Sequence, residues 1–380
     1  MERQDHGLPA QLLEELAPAL RAAVRSPNAV VAATAMLDVV ESVAPFSSQV
    51  ALRSQWLGHA RSRVVQLGEE CPDDLEVRLL AAIARTAFAA RETTAGLAAA
   101  DHALFRAIET ADVAAQVVIR AGRLPFLAVP SPVEAAQDAR LLDATVAELP
   151  PALTPGFCEA EVLLARVAWL GSAGDTQRLR QELATLGRTP LPHNDLLNFV
   201  AYASQAALAQ LFLRGRQRGL AARALIEAAT IADGAGANAE LANLQAVIAA
   251  IAMQAADFPS AVEHARSAAE AASQSTSQHA QPDPWLGLPI DIAPARSTGA
   301  AVQLLAEAVL HAQDLGDSLG FLVAASAMGA FYLADDRALE ALDALTEAAE
   351  VATGLSDPEV AKSLRGQAEA LLGHLGILAR

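Results

Sequence analysis

Apolar residues recur along this chain with the three-and-four spacing of a helix face, and turn signals interrupt them every 15 to 24 residues or so. The clearest series lies in the C-terminal half. Ala221, Leu225 and Ala228 are followed forty residues later by Ala261, Ala265 and Ala268, then by Ala301, Leu305 and Ala308, then by Ala341, Leu345 and Ala348. A spacing of four and then three places each triplet on one helix face. The helix before each triplet repeats too, with small residues at Ala209, Ala249 and Gly329 and, three positions on, Phe212, Ala252 and Tyr332. Upstream, Ala60, Val64, Leu67 and Ala100, Leu104, Ala107 keep spacing and period, whereas near 140 and 180 the register slips, Gly174-Asp175 with Leu179, Leu183 and Leu186 fitting only after a shift of a residue or two. Two opening helices are expected at about 9–25 and 28–44. Ser131-Pro132-Val133-Glu134 and Ser356-Asp357-Pro358-Glu359 read as capping boxes, and Asp257 with Pro259 and Asp73 with Glu76 as two further helix starts.

A fixed period of this length is the mark of stacked helical hairpins, since one hairpin cannot bury its own apolar face and a stack can. The pattern resembles the tetratricopeptide (TPR) repeat in its longer form of about 40 residues. The best match runs from Leu315-Gly316-Asp317 through Gly329 and Tyr332 to Ala341, Leu345 and Ala348; the match is good over 196–353 and thin over 47–190. The resemblance implies an all-α, right-handed α-solenoid of antiparallel helix pairs. On this reading 1–190 holds degenerate repeats, 191–356 the TPR-like repeats, and 357–380 a capping helix. One unit departs from the pattern. Where a first helix belongs, Gln281 to Pro294 carries four prolines, which forbid a regular helix. A Pro-rich loop at 277–297 is therefore expected, with Trp285 and Leu288 at the large apolar positions of the repeat. Trp285 reads either as a plug over the flank left by the missing helix or as a contact for a ligand.

Composition strengthens the helical reading. Of 380 residues 90 are alanine and only 4% are aromatic, so helix formers dominate and strand formers are sparse. Charge narrows the partners. The formal net charge of −17 repels polyanions, which argues against nucleic acid and against anionic membrane surfaces. Lys362 is the single lysine, as suits a GC-rich bacterial genome. Cys71 and Cys158 form no disulfide framework, and the opening MERQDHGLPA has no signal-peptide pattern, so a cytoplasmic protein is expected.

Catalytic constellations are missing from the sequence. There is no phosphate-binding glycine loop, no GxGxxG, no HExxH and no GxSxG, and the eight histidines never pair at helical spacing. Asp335-Asp336 falls in an inter-helix turn, where acidic residues serve as caps rather than magnesium ligands. No enzyme activity, cofactor or metal is expected. The TPR resemblance implies instead that first helices line a concave, partner-binding face, which here would carry Gln210, Arg214, Asn243, Met253, Gln254 and Ser326, with Trp285 from the Pro-rich loop beside them. That face is poor in charge and lacks the lysines of a chaperone-tail clamp, so it suits an amphipathic helix or an extended peptide. The expected function is a scaffold or adaptor binding another protein or peptide. The alternatives are a peptide-sensing TPR regulator and, third, an enzyme or small-molecule binder using the Pro-rich loop.

Overall fold

The structure is a computed structural model describing residues 26–128, 130–150, 159–189, 194–278 and 281–376. The expected helix at 9–25, the opening sequence, Cys158, His6, His193 and His279, and the last residues of the capping helix lie outside these. Among the described residues there are sixteen α-helices and no strand. The chain divides into two compact units. One runs to Trp169 and includes Ala184–Val200; the other comprises Leu170–Leu183 and Ala201–Arg380.

In the first unit the helices are α1 (Ala29–Ser42), α2 (Val50–Leu67), α3 (Asp73–Ala89), α4 (Thr93–Glu109), α5 (Val113–Ala128) and α6 (Pro132–Ala147), followed by most of α7 (Glu159–Ala173). Consecutive helices pack on one another and share a chain of local cores. Met36, Leu37 and Val40 of α1 meet Ala60, Leu75 and Leu79; Phe88 of α3 meets Ala100, Ala103, Leu104 and Ala107; Leu124 and Leu127 of α5 meet Ala135, Leu142 and Val162. The upstream triplets thus fall on buried faces, with Ala60 and Ala107 fully enclosed. Gly96 is small because a Cβ there would overlap the Phe88 ring, which stacks on Phe126 with centroids 4.1 Å apart.

This unit also buries charge. Arg120 of α5 donates to Asp138 of α6 at 2.8 Å, with side-chain exposures of 10% and 6%. Burial pushes the Asp138 carboxyl up in spite of the neighbouring Arg123 and Arg120 guanidiniums. Arg53 is buried as well, and its guanidinium donates to the Val43 carbonyl at the end of α1, at 2.5 Å. Burial lowers its pKa to about 10.

α8 (Thr176–Leu186) and α9 (Asn194–Arg214) each cross the division between units. The second unit continues with α10 (Arg218–Gly234), α11 (Asn238–Gln254), α12 (Phe258–Gln274), α13 (Thr298–Leu315), α14 (Ser318–Ala334), α15 (Ala338–Val351) and α16 (Pro358–His374). All four C-terminal triplets are buried at 0–5% exposure, so the forty-residue pattern is a packing pattern. The structure reveals a finer period of twenty. The N–H groups of Gln217, Ala237, Asp257, Asp317 and Arg337 donate back to the carbonyls of Phe212, Ala232, Ala252, Ala312 and Tyr332. The residue before each donor, at Arg216, Gly236, Ala256, Gly316 and Asp336, has φ between 56° and 66°. This is the Schellman closure of a helix C-terminus, and it recurs at Arg91, Ala111 and Gly174.

The capping expectations need correction in detail. Asp257 does cap α12, accepting from the Ser260 N–H at 3.3 Å. At α16, however, the cap is Asp357 rather than Ser356, its carboxylate accepting from the Glu359 N–H at 3.1 Å. Ser131 stands at the start of α6 with no side-chain capping bond, whereas α3 begins at Asp73 as expected, with Glu76 in its first turn. Asp336 takes the left-handed turn position and faces Arg266 at 4.0 Å; the residue that precedes α15 is Arg337.

Candidate functional site

The prolines of 281–294 act as their chemistry requires: from Ser275 to Ser297 the described chain forms no helix. With that first helix missing, α14 packs directly on α11 and α12. Gly329 makes the approach possible, since a Cβ there would lie 3.2 Å from Met253 and 3.4 Å from Leu345. Met253 is therefore a helix-packing residue, fully enclosed.

The irregular segment itself is buried along its length. Trp285 is 8% exposed, and Leu286, Leu288, Ile290 and Ile292 are 1% or less. It is built around two aspartates. Asp283 accepts from the Trp285 N–H at 2.8 Å, and Asp291 accepts from the Ala293 N–H at 3.1 Å. Each is an Asx-turn, a carboxylate folding the next two residues around itself. Turn bonds from Gly287 N–H to Asp283 and from Ala295 N–H to Ile292 complete the two loops. Arg296 closes the segment, donating to the carbonyls of Ala272 at 2.8 Å and Ser277 at 2.7 Å.

Side chains of the first helices hold these turns. Tyr202 of α9 donates its hydroxyl to Asp283. Asn243 of α11 makes two bonds at once. Its amide nitrogen donates to Asp291 at 2.9 Å, and its amide oxygen accepts from the Ile292 N–H at 2.9 Å. Gln210 of α9 reaches the Gly287 carbonyl at 3.4 Å. Gly287 has φ 55°, and a Cβ there would overlap the Gln210 amide, so backbone and side chain both demand glycine. Pro289 sits against Gly320 of α14, where a Cβ would lie 2.7 Å from the proline ring.

The seven residues expected to meet a partner thus separate. Gln210, Asn243 and Trp285 come together, enclosed by the chain's own segment. Ser326 of α14 is fully buried, and its hydroxyl has no hydrogen-bond partner among the described residues. Arg214 donates to the Ser172 carbonyl at 3.4 Å at the end of α9, and Gln254 is half-buried at the end of α11. Neither touches the segment through a hydrogen bond. Sequence reasoning missed Tyr202, Asp283, Asp291 and Gly287. A signal was present: two acidic residues inside an apolar, proline-rich stretch must find donors if that stretch is buried.

A concavity of about 510 Å³ lies between α10 and α12 over α11. Ile226, Leu241, Gln245 and His264 line it, together with Asp233 and Glu270 and without arginine or lysine. His264 Nδ1 and the Gln245 amide oxygen are 2.7 Å apart. Among the described residues no group of three or more His, Cys, Asp or Glu side chains is arranged to hold a metal ion, and no helix is long and apolar enough to cross a membrane. Compared with known proteins, the chain matches no family model and no curated protein.

Proposed function

We propose that this chain is a non-enzymatic, cytoplasmic interaction scaffold of TPR type, whose first-helix face grips a partner polypeptide. One observation supports this above the others. Asn243 binds an adjacent side chain and backbone N–H of a non-helical segment through both ends of its amide. The pair of bonds fixes a side chain and the main chain of the segment at once, as a groove does when main-chain bonds hold a peptide and side-chain contacts set its register. Tyr202 adds a bond to the Asp283 carboxylate and Gln210 one to the Gly287 carbonyl. The alanine-rich helices around them supply a smooth apolar wall in which a few polar groups fix register.

The test is affinity capture from the source organism's lysate with wild type, Asn243→Ala and Arg214→Glu chains, followed by direct binding of the purified partner. A partner protein or peptide held by wild type and lost with folded Asn243→Ala supports the reading. Retention of every captured protein by that variant moves binding off this face, and turnover by the purified chain alone replaces the scaffold with an enzyme.

A further inference from the structure

The first-helix face is not empty, and its occupant describes what it selects. We infer that this face is a receptor for peptides bearing two aspartate-centred turns separated by an apolar stretch, and that 281–295 is a cis copy of such a ligand which a partner of the same chemistry replaces. The inference rests on the scaffold reading above and specifies its ligand.

Three features carry it. First, the segment has no helical or strand ladder of its own; α9 and α11 hold it through side chains, and α14 contacts it at Gly320. Such an element can leave without breaking a helix. Second, both aspartates work in two directions. Each folds its own turn with one oxygen, and each meets a groove side chain, Tyr202 for Asp283 and Asn243 for Asp291. Recognition therefore reads the acid and the turn together. Third, the residues between the acids, Trp285, Leu286, Leu288 and Ile290, are enclosed while charged side chains are absent from that stretch. A ligand must match the eight-residue spacing from Asp283 to Asp291 and carry an apolar centre with a residue tolerating positive φ at the place of Gly287. The apolar burial that holds the segment is opposed by the entropy of ordering an irregular stretch, and replacement by a ligand of the same chemistry restores the same contacts.

The experiment uses a fluorescent synthetic peptide copying 281–295 and the full-length chain. Anisotropy titrations compare wild type, Asp283→Ala/Asp291→Ala, and the same double variant carrying Asn243→Ala. The double variant keeps the groove and weakens the attached competitor. It is expected to bind the peptide at least tenfold more tightly than wild type does. A peptide with both aspartates changed to alanine is expected to bind it at least tenfold more weakly, as is the native peptide with the Asn243→Ala combination. Hydrogen exchange on the wild type provides an independent reading: amides of 281–295 should exchange faster than those of α11, by local opening. Exchange of both only through global unfolding overturns the inference, as does loss of helical circular dichroism in the double variant. A folded double variant that ignores the peptide, or binds both peptides alike, also overturns it. If a natural partner is nevertheless retained by wild type, the scaffold reading stands and only this ligand assignment falls.

Discussion

The two units bury polar groups to different ends. In the first, Arg120 and Asp138 join α5 to α6, and Arg53 closes the end of α1 through the Val43 carbonyl. Each bond ties one helical element to the next. In the second, Tyr202, Gln210 and Asn243 reach the irregular segment 281–295. A buried polar group must have a partner in both cases. Where the partner belongs to the adjoining helices, the group fixes their packing. Where it belongs to a segment lying along several helices, the same chemistry fixes the path of that segment, and under the function proposed above it is what grips a peptide. The comparison is sharpest if changes to the first set cost stability alone and changes to the second also change what the chain binds.

The largest effect should come from Asp138→Ala. Burial already raises the Asp138 carboxyl against the pull of two arginines, so the pair's net worth is modest, yet removing one member leaves Arg120 charged and buried. We expect a loss of about 3–5 kcal/mol in chemical denaturation. Replacing both members by apolar residues, Arg120→Met with Asp138→Leu, should restore most of it. Peptide binding by the chain should be unchanged in the double replacement; altered binding would break the division of roles.

Asn243→Ala comes next. It leaves the Ile292 N–H without its acceptor and Asp291 without one donor, both buried, at a cost of about 2–3 kcal/mol. Unlike the first variant, it should also abolish capture of a partner on this face. Gly287→Ala should cost about 2 kcal/mol, from a non-glycine residue at φ 55° and the overlap with Gln210. A Gln210→Ala background should recover part of that loss by making room, leaving only the backbone strain; equal losses in both backgrounds would show that Gln210 does not press on this turn.

The contrast between the units also explains which parts of the molecule were legible in the sequence. Packing at a repeated helix crossing imposes a repeated residue size, so Ala221, Ala261, Ala301 and Ala341 announced their burial by spacing alone. Proline chemistry is local, so the break at 281–294 was equally plain. What remained hidden was the path of that broken stretch. Nothing in the order of residues says that Asn243 meets Ile292, 49 positions away. The candidate face was located through its helices, but its occupant was not foreseen. Exposure was misjudged accordingly: Gln210, Asn243 and Ser326 were expected on an open face and are 1% exposed or less. The capping box at 356–359 misled because the neighbouring Asp357 takes the N–H group that Ser356 was expected to meet.

The smallest expected effect concerns the twenty-residue period of the turns, where two equivalent positions carry different residues. Gly236 and Ala256 both take the left-handed conformation, at φ 62° and 56°, and close successive helices by the same bonds. Glycine adopts this conformation without steric cost, whereas the Cβ of alanine is crowded. Nothing lies within 4 Å of the position a Cβ would take at Gly236, so space does not confound the comparison there. Gly236→Ala should therefore destabilise by about 1 kcal/mol, and Ala256→Gly should stabilise by up to about 1 kcal/mol, less the greater freedom glycine has in the unfolded chain. Thermal melts of the two single variants and of the exchange variant carrying both would measure this. The exchange variant should melt close to wild type, since the turns sit at opposite ends of α11 and share no bond. A clear departure from additivity would show that α11 senses its two ends together, so that the turn period belongs to the stack as a whole rather than to each helix by itself.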